Sequence, residues 1–250
     1  MLLSLIVKIN TPKQKDNDMK LMDTGNGNTK IKKTADKDEK VRMASLSMMP
    51  DQKLCPSSLN AECFDLCLKH SGLALVYKSV NDARRKKTEF FHGDNKAFLD
   101  QLIRELGNFS KLCKKQNVKG VVRLNVLSDV PWEKHGVPQQ FPELFFYDYT
   151  KLAKRLGNTP ENYELMFSYS AAAKYQSQVK MAVKTNAPIS VVFRNGFPKT
   201  FLNRPVIDGD QSDLDNVRAG RVIVGLKVKG SAIKDYNNKF IVDSNMIARA

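Results

Sequence analysis

The sequence predicts an α/β protein whose parallel strands form a partial or complete (β/α) barrel. Three observations predict it. Five runs rich in β-formers (120–129, 144–150, 163–170, 189–194 and 221–228) recur from residue 120 onward in the 250-residue chain. Helical patterns separate several of them, and strand and helix in alternation produce parallel sheets joined by crossovers. No internal repeat and no Gly/Ser linker divides this part, which is long enough to bury one large core without disulfide staples.

In chain order, residues 1–9 (MLLSLIVKI) are apolar but too short for a membrane span and lack the flanks of a signal peptide. Residues 10–40 are polar and charged without apolar periodicity, so 1–40 reads as a disordered polar tail and 41–250 as a single domain. RMASLSMM (42–49) reads as the first strand. Residues 60–70 read as a helix that stops near Gly72. Asp94 caps a long helix in which Phe98, Leu99, Leu102, Ile103, Leu106 and Phe109 recur at helical spacing. A short helical piece follows the second β-rich run at 150–156, and SAAAKYQSQVKMAVKT, after the third, reads as a helix.

The strands alternate polar and apolar residues instead of running continuously apolar, as strands buried on both faces usually do. GVVRLNVLSD sets Arg123, Asn125 and Asp129 opposite Val122, Leu124 and Val126. LFFYDYTK divides Tyr147, Tyr149 and Lys151 from Asp148 and Thr150. YELMFSYS places Glu164, Ser168 and Ser170 on one side, and ISVVFR does the same with Ser190 and Arg194. Polar faces that point the same way line a shared cavity or lumen; a sheet solvated on one side gives the same alternation.

Three of the four cysteines fall within KLCPSSLNAECFDLCLKH: Cys55, Cys63 and Cys67 are separated by seven and three residues. On the expected helix Cys63 and Cys67 share a face, with Cys55 in the loop before it, so three thiolates can converge within the bond lengths of roughly 2.3 Å that a metal needs. Two metals compete. Three thiolates with an open fourth position suit a [4Fe-4S] cluster, whose fourth iron binds substrate or cofactor. Alternatively His70 completes a Cys3His set for zinc. Buried cysteines acting as small hydrophobes account for the same residues without a metal. His92 and His135 have no ligand spacing, and Cys113 sits in a helical stripe as a core thiol. Few cysteines and no secretory signal favour a cytoplasmic, reducing location.

The formal net charge is +15, of which residues 1–45 supply +4 (ten Lys/Arg against six Asp/Glu). A positive field of this size attracts nucleic acid and other polyanions, although a lysine-rich solvated surface has the same composition. Arg84, Arg85, Lys86 and Lys87 precede Phe90, Phe91 and His92, a basic run beside aromatics that suits a nucleic-acid backbone and its bases, or a solvated helix end. Asp129, Trp132 and Glu133 follow the end of a strand, the edge where parallel α/β folds bind ligands. Asp208, Asp210, Asp213 and Asp215 form an acidic turn that lacks the full pattern of a calcium loop. No nucleophile motif, phosphate loop or dinucleotide fingerprint is present.

The runs CPSSLNAEC, ARRKKTEFFHGD, VRLNVLSDVPWE, FPELFFYDYTK, NYELMFSYS, PVIDGDQSDLD and VIVGLKVKG resemble the bacteriophage family called gene product 88, across essentially everything after residue 45. That resemblance implies a phage-encoded protein of the host cytoplasm. The cysteine signature followed by strand and helix alternation is in turn similar to radical S-adenosylmethionine enzymes, which hold a four-iron cluster on three cysteines beside the first strand of a partial barrel. Those enzymes space their cysteines by three and then two residues, and no glycine-rich strand motif stands here where they carry one.

The expectation is therefore a [4Fe-4S] protein with Cys55, Cys63 and Cys67 as ligands, and S-adenosylmethionine as a candidate cofactor. Asp129, Asp148 and Arg123 are the expected catalytic groups, with Ser128, Glu133, Asn125, Tyr147, Ser168, Ser170 and Arg194 lining a cavity for a small-molecule or nucleic-acid substrate. Two other readings stand beside it: a zinc-stabilised Cys3His nucleic-acid-binding protein, and a phage protein that acts on a host factor without chemistry.

Overall fold

The computed structural model describes residues 19–24, 40–67 and 77–247. Ten strands form the sheet: β1 (Met22–Asp23), β2 (Val41–Leu46), β3 (Lys119–Arg123), β4 (Phe145–Thr150), β5 (Tyr163–Ser168), β6 (Ile189–Arg194), β7 (Thr200–Phe201), β8 (Arg204–Asp208), β9 (Ile223–Lys227) and β10 (Ile241–Asp243). The α-helices are α1 (Lys78–Gly93), α2 (Asn95–Lys115), α3 (Gln176–Val183), α4 (Asp213–Val217) and α5 (Ser244–Ile247).

The sheet runs β1-β2-β3-β4-β5-β6-β9-β8-β7, and every pairing from β2 through to β8 is parallel. β5 accompanies β6 only along Ile189 and Ser190; β10 pairs in parallel with Val192, Phe193 and Arg194. The five expected β-rich runs thus become β3, β4, β5, β6 and β9. Closure into a barrel does not occur. The order has two ends, β1 and β7, each a two-residue antiparallel strand. Strands this short blunt the edges of an open sheet and offer too little pairing surface to join them.

Side-chain alternation divides the sheet into two faces. One face carries Ala44, Leu46, Val122, Phe146, Leu165, Phe167, Ile189 and Val191 under the apolar stripe of α2 (Phe98, Leu102, Leu106, Phe109, Cys113) and Val179 and Ala182 of α3. Asp94 caps α2 as its sequence predicts, accepting from the Ala97 N–H at 2.9 Å. α2 lies so close to β3 that a Cβ on Gly120 would stand 3.1 Å from Cys113 Sγ and 3.3 Å from Phe109 Cε1, and 2.4 Å from Leu144 Cδ2 before β4. The opposite face carries Val41, Met43, Val121, Phe145, Tyr147, Met166 and Val224, and the short helix α4 covers it with Leu214 and Val217.

Three expectations change. The reading of 60–70 as a helix fails over its described part, because residues 51–66 form successive turns. Their backbone bonds alternate in span: Ala61 N–H donates to Ser57 O, Glu62 to Leu59 O and Cys63 to Ser58 O, and Glu62 takes a left-handed φ of 54°. A helix needs one repeated span, so this segment cannot propagate one. His70 and Gly72 lie outside the described residues. Second, part of the stretch read as a polar tail belongs to the sheet. β1 pairs with β2, Leu21 and Met22 are buried, and Glu105 of α2 accepts from both their N–H groups at 2.7–3.1 Å. Third, the run 120–129 leaves the sheet at Arg123, so alternation does not carry Asn125 and Asp129 onto its face.

Candidate functional site

Four residues separate the carboxyl end of β2 from the cysteine loop, 51–67, which bonds to the segment after β3 and to Asn238 and Lys239. Asp51 starts the loop: its Oδ1 accepts from the Lys53 and Leu54 N–H groups at 2.9 and 2.8 Å, and its backbone O accepts from Cys55 N. Its other oxygen meets His92 Nε2 at 2.7 Å, which gives that histidine a structural role. Burial pushes the Asp51 carboxyl up, but these bonds outweigh it and hold it below its ordinary value. Cys55 Sγ donates to Leu127 O at 3.5 Å, and Asp129 N–H donates to Leu54 O at 2.9 Å, which ties the loop to the segment after β3.

The three sulfurs share one electrostatic neighbourhood. Burial pushes the Cys55 thiol far up, and negative charge on Asp129, Cys67 or Cys63 raises it further. Burial also raises Cys63, against the pull of the Lys151 ammonium. The Cys55 and Cys63 thiols are therefore protonated at neutral pH, and a cation that binds them displaces protons. Two cations flank them. Arg84 of α1 feels the charge of Cys67. Lys151, one residue past β4, feels Cys63, Asp129, Cys55 and Cys67, while burial lowers its own pKa. Its Nζ donates to Ser168 Oγ at 3.0 Å and Ser168 O at 3.3 Å, between the rings of Phe240 (4.5 Å) and Tyr175 (5.3 Å).

The remaining expected site residues divide among three separate networks. In the first, Asp148 Oδ1 accepts from Asn125 N–H at 2.7 Å, and Oδ2 from Asn125 Nδ2 at 3.2 Å and Tyr163 OH at 2.9 Å. Asn125 Oδ1 in turn accepts from Ser128 Oγ, Val130 N and Trp132 Nε1 at 2.8–3.1 Å. Arg155 adjoins this network through Tyr163 OH and pairs with Asp129 Oδ1 at 2.6 Å and with both oxygens of Glu133 at 2.8–2.9 Å. Burial raises Asp148 to about 7 against the pull of Arg123, its bonds and Arg155; it also raises Asp129, against Arg155.

In the second network, on the α4 face, Arg123 pairs with Asp213 at 2.8 Å and Tyr149 OH donates to the same carboxylate at 2.9 Å. Tyr147 lies fully buried beside them. The acidic turn thus supplies the fold's own counter-charge: Asp213 to Arg123, and Asp210 to Lys229 at 2.7 Å.

In the third, Arg194 donates to the backbone oxygens of Ala232, Ile233 and Asp235 and stacks on Tyr236 at 4.1 Å. The strap it anchors continues over the site. Ser170 Oγ donates to Lys239 O at 3.3 Å, and the Lys239 N–H donates to Glu62 of the cysteine loop at 3.1 Å.

Asp129, Asp148 and Arg123, the expected catalytic groups, are each held by side chains of the fold. Of the expected residues, Asp129 acts electrostatically on Cys55 and Cys63, and its N–H bonds to Leu54 O beside Cys55. Lys151 and Arg155 are missing from the sequence-derived site. Their signal in the sequence is only two basic residues following a strand end, a pattern shared with many solvated loops.

Three cysteines are the kind of soft donor that a metal–sulfur group takes, but the described residues do not gather them as such a group requires. One tetrahedral ion demands more: at about 2.3 Å from each sulfur, it brings the sulfurs to roughly 3.8 Å of one another. Among the described residues, no group of three or more His, Cys, Asp or Glu is gathered to hold a metal ion. No helix among them is long and apolar enough to cross a membrane.

The model of the family described as gene product 88 matches residues 19–244, and the chain belongs to that family. No curated protein and no solved structure matches it.

Proposed function

We propose that this gene product 88 family member is an iron–sulfur protein in which Cys55, Cys63 and Cys67 hold a [4Fe-4S] cluster at the carboxyl edge of its parallel sheet. One observation carries the reading: three cysteines fall in one loop that follows the first parallel strand, with Cys55 Sγ bonded to Leu127 O in the segment after β3. The carboxyl edge is where parallel α/β sheets bind their ligands. Three cysteine ligands leave one iron for a substrate or cofactor, and when bound the cluster would supply electron transfer or Lewis-acid chemistry at that iron.

The chain's own residues do the rest. Asp51 holds the loop, Lys151 and Arg84 supply positive charge, and the strap through Lys239 and Phe240 covers the site. The place of the cysteines after the first parallel strand supports S-adenosylmethionine as the ligand of the open iron; their spacing of seven and three weighs against it. The charge of +15 makes a polyanion the partner class to test.

Anaerobic purification and reconstitution tests the reading. Iron and sulfide near four per chain, charge-transfer absorption and a reduced-state paramagnetic signal are expected, with loss of all three in Cys55→Ala, Cys63→Ala and Cys67→Ala. A colourless protein without iron after reconstitution overturns it. Stoichiometric zinc lost on His70→Ala establishes the zinc reading instead.

A further inference from the structure

We infer that the amino edge of the sheet is a nucleic-acid-binding surface, on which Arg42, Lys111, Lys114, Lys115, Lys119 and Arg218 hold the phosphate backbone of a duplex. This edge lies at the opposite end of β2 from the cysteine loop. The inference does not rest on the cluster reading, and it gives the polyanion named there a place to bind.

Contacts of the fold bring these cations together from distant parts of the chain. Lys111, Lys114 and Lys115 stand on the solvent side of the last turns of α2, whose buried stripe ends at Cys113. Gln116 ends that helix, and its Oε1 accepts from Arg42 NH1 at 2.7 Å, which ties the start of β2 to it. Lys119 opens β3 beside Val41 of β2. Its Nζ lies 5.4 Å from the centre of the Phe145 ring, and the Arg218 guanidinium lies 4.0 Å from the same ring. All but Arg42 are exposed. Few carboxylates oppose them: Glu164 reaches Arg218 at 3.9 Å, and Glu143 accepts from Ser110 Oγ. Among the described residues Lys111, Lys114, Lys115 and Lys119 make no ion pair, and Arg42 bonds to a neutral amide.

The helix dipole favours cations in the last turn of α2, which accounts for Lys114 and Lys115. It leaves Arg42 and Lys119, which come from two strands. Like charges held this close repel one another, and phosphates that bind them relieve the repulsion while releasing their own counterions. The basic run at 84–87 supplies the contrast. Arg84 bonds to Asn81, Arg85 pairs with Asp82 at 2.9 Å, and Lys87 donates to Leu21 O. Phe90 and Phe91 pack against the core, and His92 meets Asp51. That run is occupied by the fold, and its rings are not free to stack on bases. Nor does the amino edge offer a ring, since Phe145 is buried. Single strands are held by stacking on aromatic side chains. Cations without exposed rings take the phosphates of a duplex and leave its sequence unread.

The test uses the full chain and a fluorescently labelled DNA duplex of mixed sequence, with binding read by anisotropy at several salt concentrations. Wild type should lose about 10³-fold in affinity between about 50 and 200 mM salt, as six phosphate contacts require. In the triple variant Lys114→Gln, Lys115→Gln, Lys119→Gln the slope of log affinity against log salt should shrink by about three, equally for duplexes of different sequence. A control triple variant, Arg85→Gln, Lys86→Gln, Lys174→Gln, removes the same charge from exposed positions elsewhere and should keep the wild-type slope. The three single variants of the edge, each expected to shrink the slope by about one, repeat the test without a cumulative change of charge. Equal slopes in edge and control variants, or wild type that does not bind the duplex in a salt-sensitive way, overturn the inference and leave the cluster reading intact. Polyglutamate that displaces the duplex at equal charge concentration makes the partner any acidic chain, and overturns it too.

Discussion

Arg155 and Lys151 lie four residues apart, and both are enclosed cations at the same edge of the sheet, yet their surroundings differ in kind. Arg155 divides its donors among Asp129, Glu133, Thr150 and Tyr163, two of them carboxylates, with distances of 2.6–3.3 Å. Lys151 meets a serine, a backbone oxygen and two rings. A buried charge paired directly with carboxylates holds structure together; Lys151 bonds to neutral groups and feels the Asp129 carboxylate only through space. The contrast locates the candidate site more narrowly than polar residues at strand ends do, because most of those belong to closed networks.

The sharpest way to break the contrast is to remove Arg155. In Arg155→Met, Asp129 and Glu133 lose their cation while remaining buried, which should cost about 3–5 kcal/mol by chemical denaturation. A loss under 1 kcal/mol would place Arg155 in the same class as Lys151.

Asp148, in the adjoining network, predicts a pH dependence. Its folded pKa is about 7 against an ordinary 3.8. The folded protein therefore keeps this proton where the unfolded chain releases it. The associated stability is whole below pH 3.8 and declines as pH rises to about 7, by an amount on the order of 4 kcal/mol at most. Denaturation midpoints measured from pH 4 to 8 should fall in wild type, and the slope should flatten in Asp148→Asn. An unchanged slope would show that this network does not hold the proton.

The smallest effect belongs to the cysteine side. Asp51→Ala removes the acceptor for the Lys53 and Leu54 N–H groups and should cost about 1 kcal/mol. Because the loss is local, alkylation of Cys55 and Cys63 in the metal-free protein should speed up more than global unfolding does. Equal alkylation rates in variant and wild type would mean that Asp51 does not hold the loop.

Much of the sheet was legible before the structure. β3, β4, β5, β6 and β9 fall inside runs whose β-branched and aromatic content predicts strands, and α2 follows from Asp94 and its apolar stripe. The misses have physical causes. β7 and β10 are two and three residues long, too short for periodicity to register. β1 hides in polar sequence because it is held largely by Glu105 and β2, not by its own pattern. Residues 60–70 read as a helix ending near Gly72, whereas over the described part Asp51, Ser58 and Glu62 bend the backbone into turns with other spans.

By itself, the sequence determined the strand-forming runs, the apolar stripe of α2 and the gathering of three cysteines in one loop, because these follow from residue type and spacing within a few turns of chain. Tertiary structure decided the rest. Which sheet face α4 covers, which carboxylates pair with Arg155, and how the cysteine loop is held all depend on distant partners, up to 177 residues apart in the case of Lys239 and Glu62. Alternation divides a strand into two sides, but only packing against other elements decides which groups each side meets.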